Sequence, residues 1–334
     1  MDNLLKTLIE DEKRANKKLY TAGPYWDYKN KKTIYQLKIN QIDNFRGLNS
    51  GVGTSYTDNI VLDTRNEYNL KGRLVSIFTK IPVIKKIFED QLNLTSNYLE
   101  NFLLLQATLF KNDKLVDYLI KKYRFINTTD FGCAQKFLKN DKEYSCFYLE
   151  IANRVENISK HINIGKLKSY FEIGGGFGAN IHFLLNNFSN IKKVVYLDVV
   201  PNIYVGTKYL KKMFGKSVVD YIDTRDQKKI KFKNNDETEI LCIAPWQIEN
   251  LDIKFDHFHN AASFVEMPND IIENYTKFIK NSAKSISLIS YDLYDENTFN
   301  PEKLNKFFND SLEIYKYNKL IGDIKRKDTY LIKG

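Results

Sequence analysis

Apolar positions along the chain change their period near residue 165. Before that point the spacing is mostly helical. Residues 1–20 read as one charged amphipathic helix. In residues 68–125 apolar side chains return every three or four positions, as in Leu99, Phe102 and Leu103, or Leu115 and Leu119. Pro82 is expected to break or bend the first helix of that stretch, because its ring removes a donor and crowds the preceding turn. Residues 21–66 interrupt the pattern with clustered Gly, Asn, Asp and aromatic residues, which predicts ordered loops. A further helix is expected over 144–162, ending near Gly165.

Beyond residue 165 short apolar runs alternate with helical segments. Strands are expected at 169–174, 192–200, 239–245, 256–263 and 285–293, with helices at 179–188, 202–214 and 267–282. The tail adds a helix at PEKLNKFFND and two strand-like runs, SLEIYKY and DTYLIKG. Such alternation predicts an α/β fold with a mostly parallel sheet covered on both faces, and the closing pair of runs predicts an antiparallel edge. The expected organisation is a mostly helical region over 1–165 followed by a sheet domain over 166–334.

Composition narrows the setting. Hydrophobic residues make up 43% and charged residues 28% of the 334 positions, an ordinary globular mixture. No apolar run approaches the roughly 18 residues needed to span a bilayer, and the N-terminus lacks the apolar segment of a secretory signal. Cys133, Cys146 and Cys242 are odd in number and far apart, so free thiols in a reducing cytoplasm are expected. Residues 1–170 carry a net +9 and residues 171–334 a net +1. An excess of positive charge attracts phosphates, which leaves room for a nucleotide-sugar or for peripheral membrane contact. The lysines are scattered, not blocked, which weakens a nucleic-acid footprint.

The strongest local signal is Phe171-Glu172-Ile173-Gly174-Gly175-Gly176-Phe177-Gly178-Ala179-Asn180, placed between a strand and a helix. Glycines there let the backbone approach a cofactor and aim helix N–H groups at it. Gly174, Gly176 and Ala179 also satisfy a loose dinucleotide fingerprint, so a nicotinamide or flavin site stays an alternative. Two acids shift the balance. Glu172 sits inside the strand, where a carboxylate is awkward beside a pyrophosphate but suits a positive amino group and a sulfonium. Asp198, followed by Val199, ends the next strand 20 residues after Gly178, where a carboxylate can accept from both ribose hydroxyls.

With these residues the chain resembles the class I S-adenosylmethionine-dependent methyltransferases over about residues 165–334. Their first motif is an acid, one residue, then Gly-x-Gly-x-Gly, as from Glu172 to Gly178. The resemblance implies S-adenosylmethionine as cofactor and a Rossmann-like sheet of seven strands, the last antiparallel. Gly23-Pro24-Tyr25-Trp26, Asn44-Phe45-Arg46, the loop from Gly51 to Asn59, FEIGGGFGAN and HNAASFVEM together resemble the bacterial sugar O-methyltransferase family of surface-polysaccharide clusters. That implies a cytoplasmic enzyme of polysaccharide or capsule biosynthesis acting on a nucleotide-activated or lipid-linked sugar.

Candidate roles follow. Trp246, after the third strand, resembles the position where the family packs the adenine ring. His259, near the end of the fourth strand, and Glu266, just beyond it, are the candidate bases for an acceptor hydroxyl. Tyr25, Trp26, Arg46, Tyr56, Asp58 and Asn59 combine flat apolar faces with polar groups, as carbohydrate recognition requires. Asp58, Asp198 and Glu266 show no tight ligand spacing, so no metal is expected. Two other functions stay open: a nucleic-acid methyltransferase, and a fold that binds the cofactor without turnover. Against the first, the fourth strand ends in Asn260-Ala261-Ala262-Ser263, without the Pro-Pro-aromatic run that holds a flipped base.

Overall fold

Asp2 starts the first helix, because its side chain accepts the Leu4 N–H at 2.9 Å and so satisfies one orphan donor. In the computed structural model, which describes residues 2–15, 17–20, 22–40, 42, 45, 61–63, 81–83, 109, 112–125, 136–291, 300–320 and 329–334, that helix is α1 (Asn3–Glu12). It buries Leu4, Leu5 and Leu8. The single helix expected over 1–20 is instead two, with α2 (Lys17–Tyr20) following a turn. The physical reason is packing: Leu4 and Leu8 belong to the core on one face of the main sheet and Tyr20 to the core on the other, and one straight helix cannot serve both.

A second difference is larger. Gly23–Asn40, expected as loop, is an 18-residue helix, α3. Asn30, Thr33 and Leu37 form its buried stripe at helical spacing, while Lys31 and Tyr35 are exposed. Next come β1 (Val61–Asp63), α4 (Asp113–Lys122), β2 (Lys136–Lys139) and β3 (Lys142–Ser145). β2 and β3 form a hairpin that the apolar pattern does not announce. Its turn is Asn140-Asp141, both with positive φ (50° and 59°), the chemistry that matches strand twist. β1 pairs with β2 in parallel. Ser145 then caps α5 (Cys146–Ser159), the helix expected over 144–162.

The C-terminal half runs β4 (Ser169–Ile173), α6 (Ala179–Asn187), β5 (Lys193–Leu197), α7 (Asn202–Phe214), β6 (Val218–Val219), α8 (Tyr221–Thr224), β7 (Glu239–Ile243) and β8 (Phe255–Ala261). It closes with α9 (Asn269–Ser282), β9 (Ala283–Tyr291), α10 (Pro301–Lys306), β10 (Glu313–Tyr317) and β11 (Thr329–Lys333). The main sheet has the order β10-β11-β9-β8-β4-β5-β7-β6. All pairs from β9 to β6 are parallel, and β11 is antiparallel to both neighbours. This is the expected Rossmann-like sheet. It counts eight strands, not seven, because the two-residue β6 pairs on the outer edge of β7.

Side chains alternate between two cores. Tyr196, Ile240 and Cys242 face a cluster with α5, α6, α7 and the N-terminal Leu4, Leu8 and Leu37. Phe171, Leu197, Ile243 and Phe258 face a second cluster with Ile272, Tyr275 and Ile279 of α9. Each fully buried side chain of this size contributes roughly 1.5–3 kcal/mol, so both faces are strongly held. Order reverses at β4, which lies between β5 and β8 and sends a glycine turn over the carboxyl edge, where open α/β sheets bind ligands. Among the described residues no helix is long and apolar enough to cross a membrane.

Candidate functional site

The glycine turn leaves β4 with Gly174 at φ +73°, a left-handed conformation in which a side chain is strained. Space is equally restrictive: a methyl group on Gly174 would lie 2.1 Å from Ser263 Oγ. Gly174 N donates to Leu197 O at 2.8 Å, tying the turn to β5. Gly176 and Gly178 also have positive φ, and Gly178 precedes the first residue of α6. Below the turn, Tyr196 donates its hydroxyl to Gly176 O and stands where Gly206 of α7 leaves room for its ring. In the same core, Phe177 packs between Phe45 (5.3 Å), Phe147 (5.5 Å) and Tyr209 (5.0 Å).

Two buried carboxylates flank the turn. Glu172 is 1% exposed; Oε1 accepts from Asn180 Nδ2 at 3.1 Å, and Oε2 has no partner among the described residues. Burial pushes its pKa up to about 8, against the opposing pull of Arg154 and Asn180, and the nearby Asp198 adds to the rise. Asp198 accepts from Gly176 N at 2.8 Å and from Val199 N at 2.7 Å. Burial nonetheless pushes it up to about 7, with those hydrogen bonds and Asn202 opposing. Asn202 Oδ1 is a further buried atom without a partner among the described residues. Two desolvated carboxylates at one turn cost several kcal/mol unless a cation or good donors reach them. The arrangement would suit a ligand that brings positive charge and hydrogen-bond donors.

At the end of β8, Asn260 donates to Ile173 O at 2.8 Å and accepts Phe264 N at 3.1 Å, so it clamps the turn that follows. That turn carries Glu266 in a short 3-10 helix, Phe264–Glu266. Trp26 of α3 donates its indole N–H to Glu266 Oε2 at 3.1 Å. Gly23, with φ +72°, leaves room for Pro268 two residues further on. Two candidates that are 240 positions apart are thereby in contact at the carboxyl edge. Lys29 lies 4.8 Å from the Trp26 ring centroid.

On the other side, Trp246 follows β7 in the 3-10 helix Pro245–Asn250 and donates its indole N–H to Tyr221 Oη at 3.0 Å. Tyr221 in turn donates to Asp11 Oδ2 at 2.7 Å, and Arg225 grips both Asp11 oxygens. The N-terminal helix therefore braces the aromatic wall.

His259 is placed differently from Glu266. It has no exposed surface, its Nδ1 lies 2.8 Å from Ser287 Oγ, and its Nε2 has no partner among the described residues. Burial, with Arg154 and His257 nearby, holds its pKa well below the usual histidine value. It pairs in register with Glu172 on the adjacent strand. Tyr25 lies in α3; Arg46, Tyr56, Asp58, Asn59 and Cys133 fall outside the described residues. The motif assigns no role to Asn180, and no motif marks Tyr196, Asn202, Tyr221 or Arg154. Asn180 and Gly206 are legible as helical positions, but their partners lie on other elements.

No family model matches the chain, and no curated protein matches it. Distant likenesses exist among solved structures. A SAM dependent methyltransferase from Aquifex aeolicus shares 14% identity over 57% of this chain and 92% of that one, with TM-score 0.36. Magnesium protoporphyrin IX methyltransferase from Synechocystis PCC 6803, with bound SAM, shares 10% identity over 80% of this chain and 98% of that one, with TM-score 0.36. Precorrin-6y C5,15-methyltransferase from Geobacter metallireducens GS-15 shares 16% identity over 54% and 85%, with TM-score 0.35. At this distance the chemistry has to be read from the site's own residues.

Proposed function

We propose that this chain is an S-adenosylmethionine-dependent O-methyltransferase whose acceptor is a sugar hydroxyl, nucleotide-activated or lipid-linked, in surface-polysaccharide biosynthesis. The observation that carries the cofactor is the buried Glu172 carboxylate, with an unpartnered oxygen beside the glycine turn and Asp198 on the next strand. A pyrophosphate would meet these acids as like charges. An ammonium and a sulfonium offset them, and ribose hydroxyls are donors that suit Asp198.

S-adenosylmethionine, when bound, supplies an electrophilic methyl group on a sulfonium. In this reading Glu172 and Asp198 hold its cationic and ribose portions. Trp246 offers a flat face to the adenine from its hydrogen bond to Tyr221. Phe45, Phe147 and Phe177 keep water from the turn.

The acceptor end is assigned to Trp26 and Glu266. An indole face supports a sugar ring, and Glu266 is the base candidate with access to solvent, half-buried where His259 is sealed. Glu266 takes the proton from the acceptor hydroxyl as attack proceeds. The division into a helical acceptor-binding region, 1–165, and a cofactor domain, 166–334, belongs to the same proposal, as does a cytoplasmic location. The sugar rests on the resemblance over Gly23–Trp26, 44–46, 51–59, FEIGGGFGAN and HNAASFVEM, together with the basic first half.

The test is calorimetry with S-adenosylhomocysteine and NADH, followed by labelled S-adenosylmethionine with a panel of nucleotide-sugars, glycan extracts and RNA. Methyl incorporation into a sugar is expected. NADH binding without a response to S-adenosylhomocysteine would remove the cofactor reading. Transfer to RNA alone would remove the sugar, and cofactor binding without transfer to any acceptor would favour a non-catalytic role.

A further inference from the structure

One face of β8 and β9 carries a chain of hydrogen bonds whose direction can be worked out. Ser285 Oγ donates to Asp256 O at 2.8 Å, which uses its only proton. At His257 Nδ1, also 2.8 Å away, Ser285 can therefore only accept, so Nδ1 carries the proton. His257 is 1% exposed and burial pushes its pKa down to about 3, so at neutral pH it is uncharged and Nε2 is bare. Ser287 Oγ, 2.8 Å from that Nε2, must donate to it. Its proton thus committed, Ser287 can only accept at His259 Nδ1. His259 is likewise neutral, and the tautomer follows: proton on Nδ1, lone pair on Nε2.

That lone pair has no partner among the described residues. His259 and Glu172 are register partners on adjacent parallel strands, so both side chains leave the same face. Glu172 Oε2 and Arg154 Nε are also buried and unpartnered, and the Arg154 charge acts on both Glu172 and His259. Three buried polar atoms without partners among the described residues, two of them on register-paired side chains, mark a place where a ligand's polar groups can be met.

We infer that Ser285, His257 and Ser287 are positioning residues that lock His259 in its Nδ1–H form, so that Nε2 joins Glu172 as acceptor for an ammonium donor of the bound cofactor. The donor's identity rests on the function proposed above; the lock does not. With the opposite tautomer His259 would present an N–H to that ammonium, two donors facing each other. In that reading His259, buried beside Glu172, meets the ligand only through Nε2, and the two serines and His257 act through it.

The experiment is long-range 1H–15N spectroscopy of protein labelled with 15N-histidine, with His259→Gln and His257→Gln for assignment. At neutral pH both rings are expected with Nδ1 protonated and Nε2 bare. Ser287→Ala removes the hydroxyl that joins His257 Nε2 to His259 Nδ1, leaving only the backbone of residue 287 as partner of the His259 ring, and should give a tautomer mixture there; Ser287→Thr should restore the single form. Ser285→Ala, two steps away, should loosen His257 and, through Ser287, His259. Should the threonine crowd the site, Ser285→Ala still distinguishes a relay from local packing.

Adding S-adenosylhomocysteine should move the His259 Nε2 signal, and Ser287→Ala should weaken its binding by roughly tenfold. A proton on Nε2 of the unaltered protein overturns the inference. So does a His259 tautomer indifferent to both alanine variants, or binding that leaves Nε2 unmoved. If S-adenosylhomocysteine does not bind at all, the proposed function falls, and the lock stands or falls on the ligand-free spectrum.

Discussion

Glu172→Gln should make the ligand-free protein more stable and the ligand-bound complex weaker. The carboxyl group is fully buried, with a pKa pushed up to about 8, against about 4.5 for the free side chain. For an acid whose folded pKa is raised, the folded state binds more protons than the unfolded one between those values. Stability from this group is therefore full below about pH 4.5, falls as pH rises, and levels off above about pH 8. At about pH 7 the accumulated loss is roughly 3 kcal/mol, at about 1.4 kcal/mol per pH unit. Glutamine keeps the shape and the contact with Asn180 but does not ionise, so the variant should lack this decline. In the complex the carboxylate meets a cation, and losing that charge-assisted bond costs about 1.5–3 kcal/mol, roughly ten- to hundredfold in affinity. The assay is urea denaturation of both proteins from about pH 5 to about pH 8.5, paired with titration calorimetry of S-adenosylhomocysteine. The variant should gain on the unaltered protein as pH rises, with the gap widest near pH 8. Equal pH slopes, or a variant less stable at about pH 8, would show that the carboxylate carries no ionisation penalty and would refute the reasoning.

Gly174→Ala should destabilise the fold by roughly 2–4 kcal/mol, because it combines a left-handed φ of +73° with a methyl 2.1 Å from Ser263 Oγ; a denaturation midpoint within error of the parent would contradict this. Asp198→Ala should weaken S-adenosylhomocysteine by about 1–3 kcal/mol, since it removes the proposed ribose acceptor and also frees the N–H groups of Gly176 and Val199; unchanged calorimetric affinity would count against the site. Glu266→Gln should slow methyl transfer about a hundredfold or more while cofactor affinity stays nearly constant, and Trp26→Phe, which removes the 3.1 Å hydrogen bond to Glu266, should have a smaller effect in the same direction; parental rates in both would place the base elsewhere.

Local chemistry made half of this protein legible from its sequence. The strand–helix alternation after residue 165 depends on side-chain period and turn residues, which are properties of neighbouring positions. So does the order acid, glycines, acid, which places Glu172, the turn and Asp198 on adjacent strands whenever a right-handed crossover joins them. The first half was harder to read. Gly23, Pro24 and the aromatic residues after them signal a loop locally, yet Gly23–Asn40 is helical because Asn30, Thr33 and Leu37 find a surface to bury against. Likewise the two-residue β6 exists only because β7 offers it an edge.

The candidate site divides in the same way. Residue type and spacing select Glu172, the glycines and Asp198, and the family resemblance adds Trp246. Only tertiary structure brings Trp26 to Glu266, Tyr221 and Asp11 to Trp246, and Arg154 to Glu172. Burial separates the two candidate bases: a histidine and a glutamate seven positions apart read as equals in sequence, but strand pairing seals His259 between Glu172 and Ser287 while the turn leaves Glu266 half-open. Local sequence determines what a side chain can do; which groups desolvate it and which partners reach it depends on contacts between distant segments, and those set its protonation and its role.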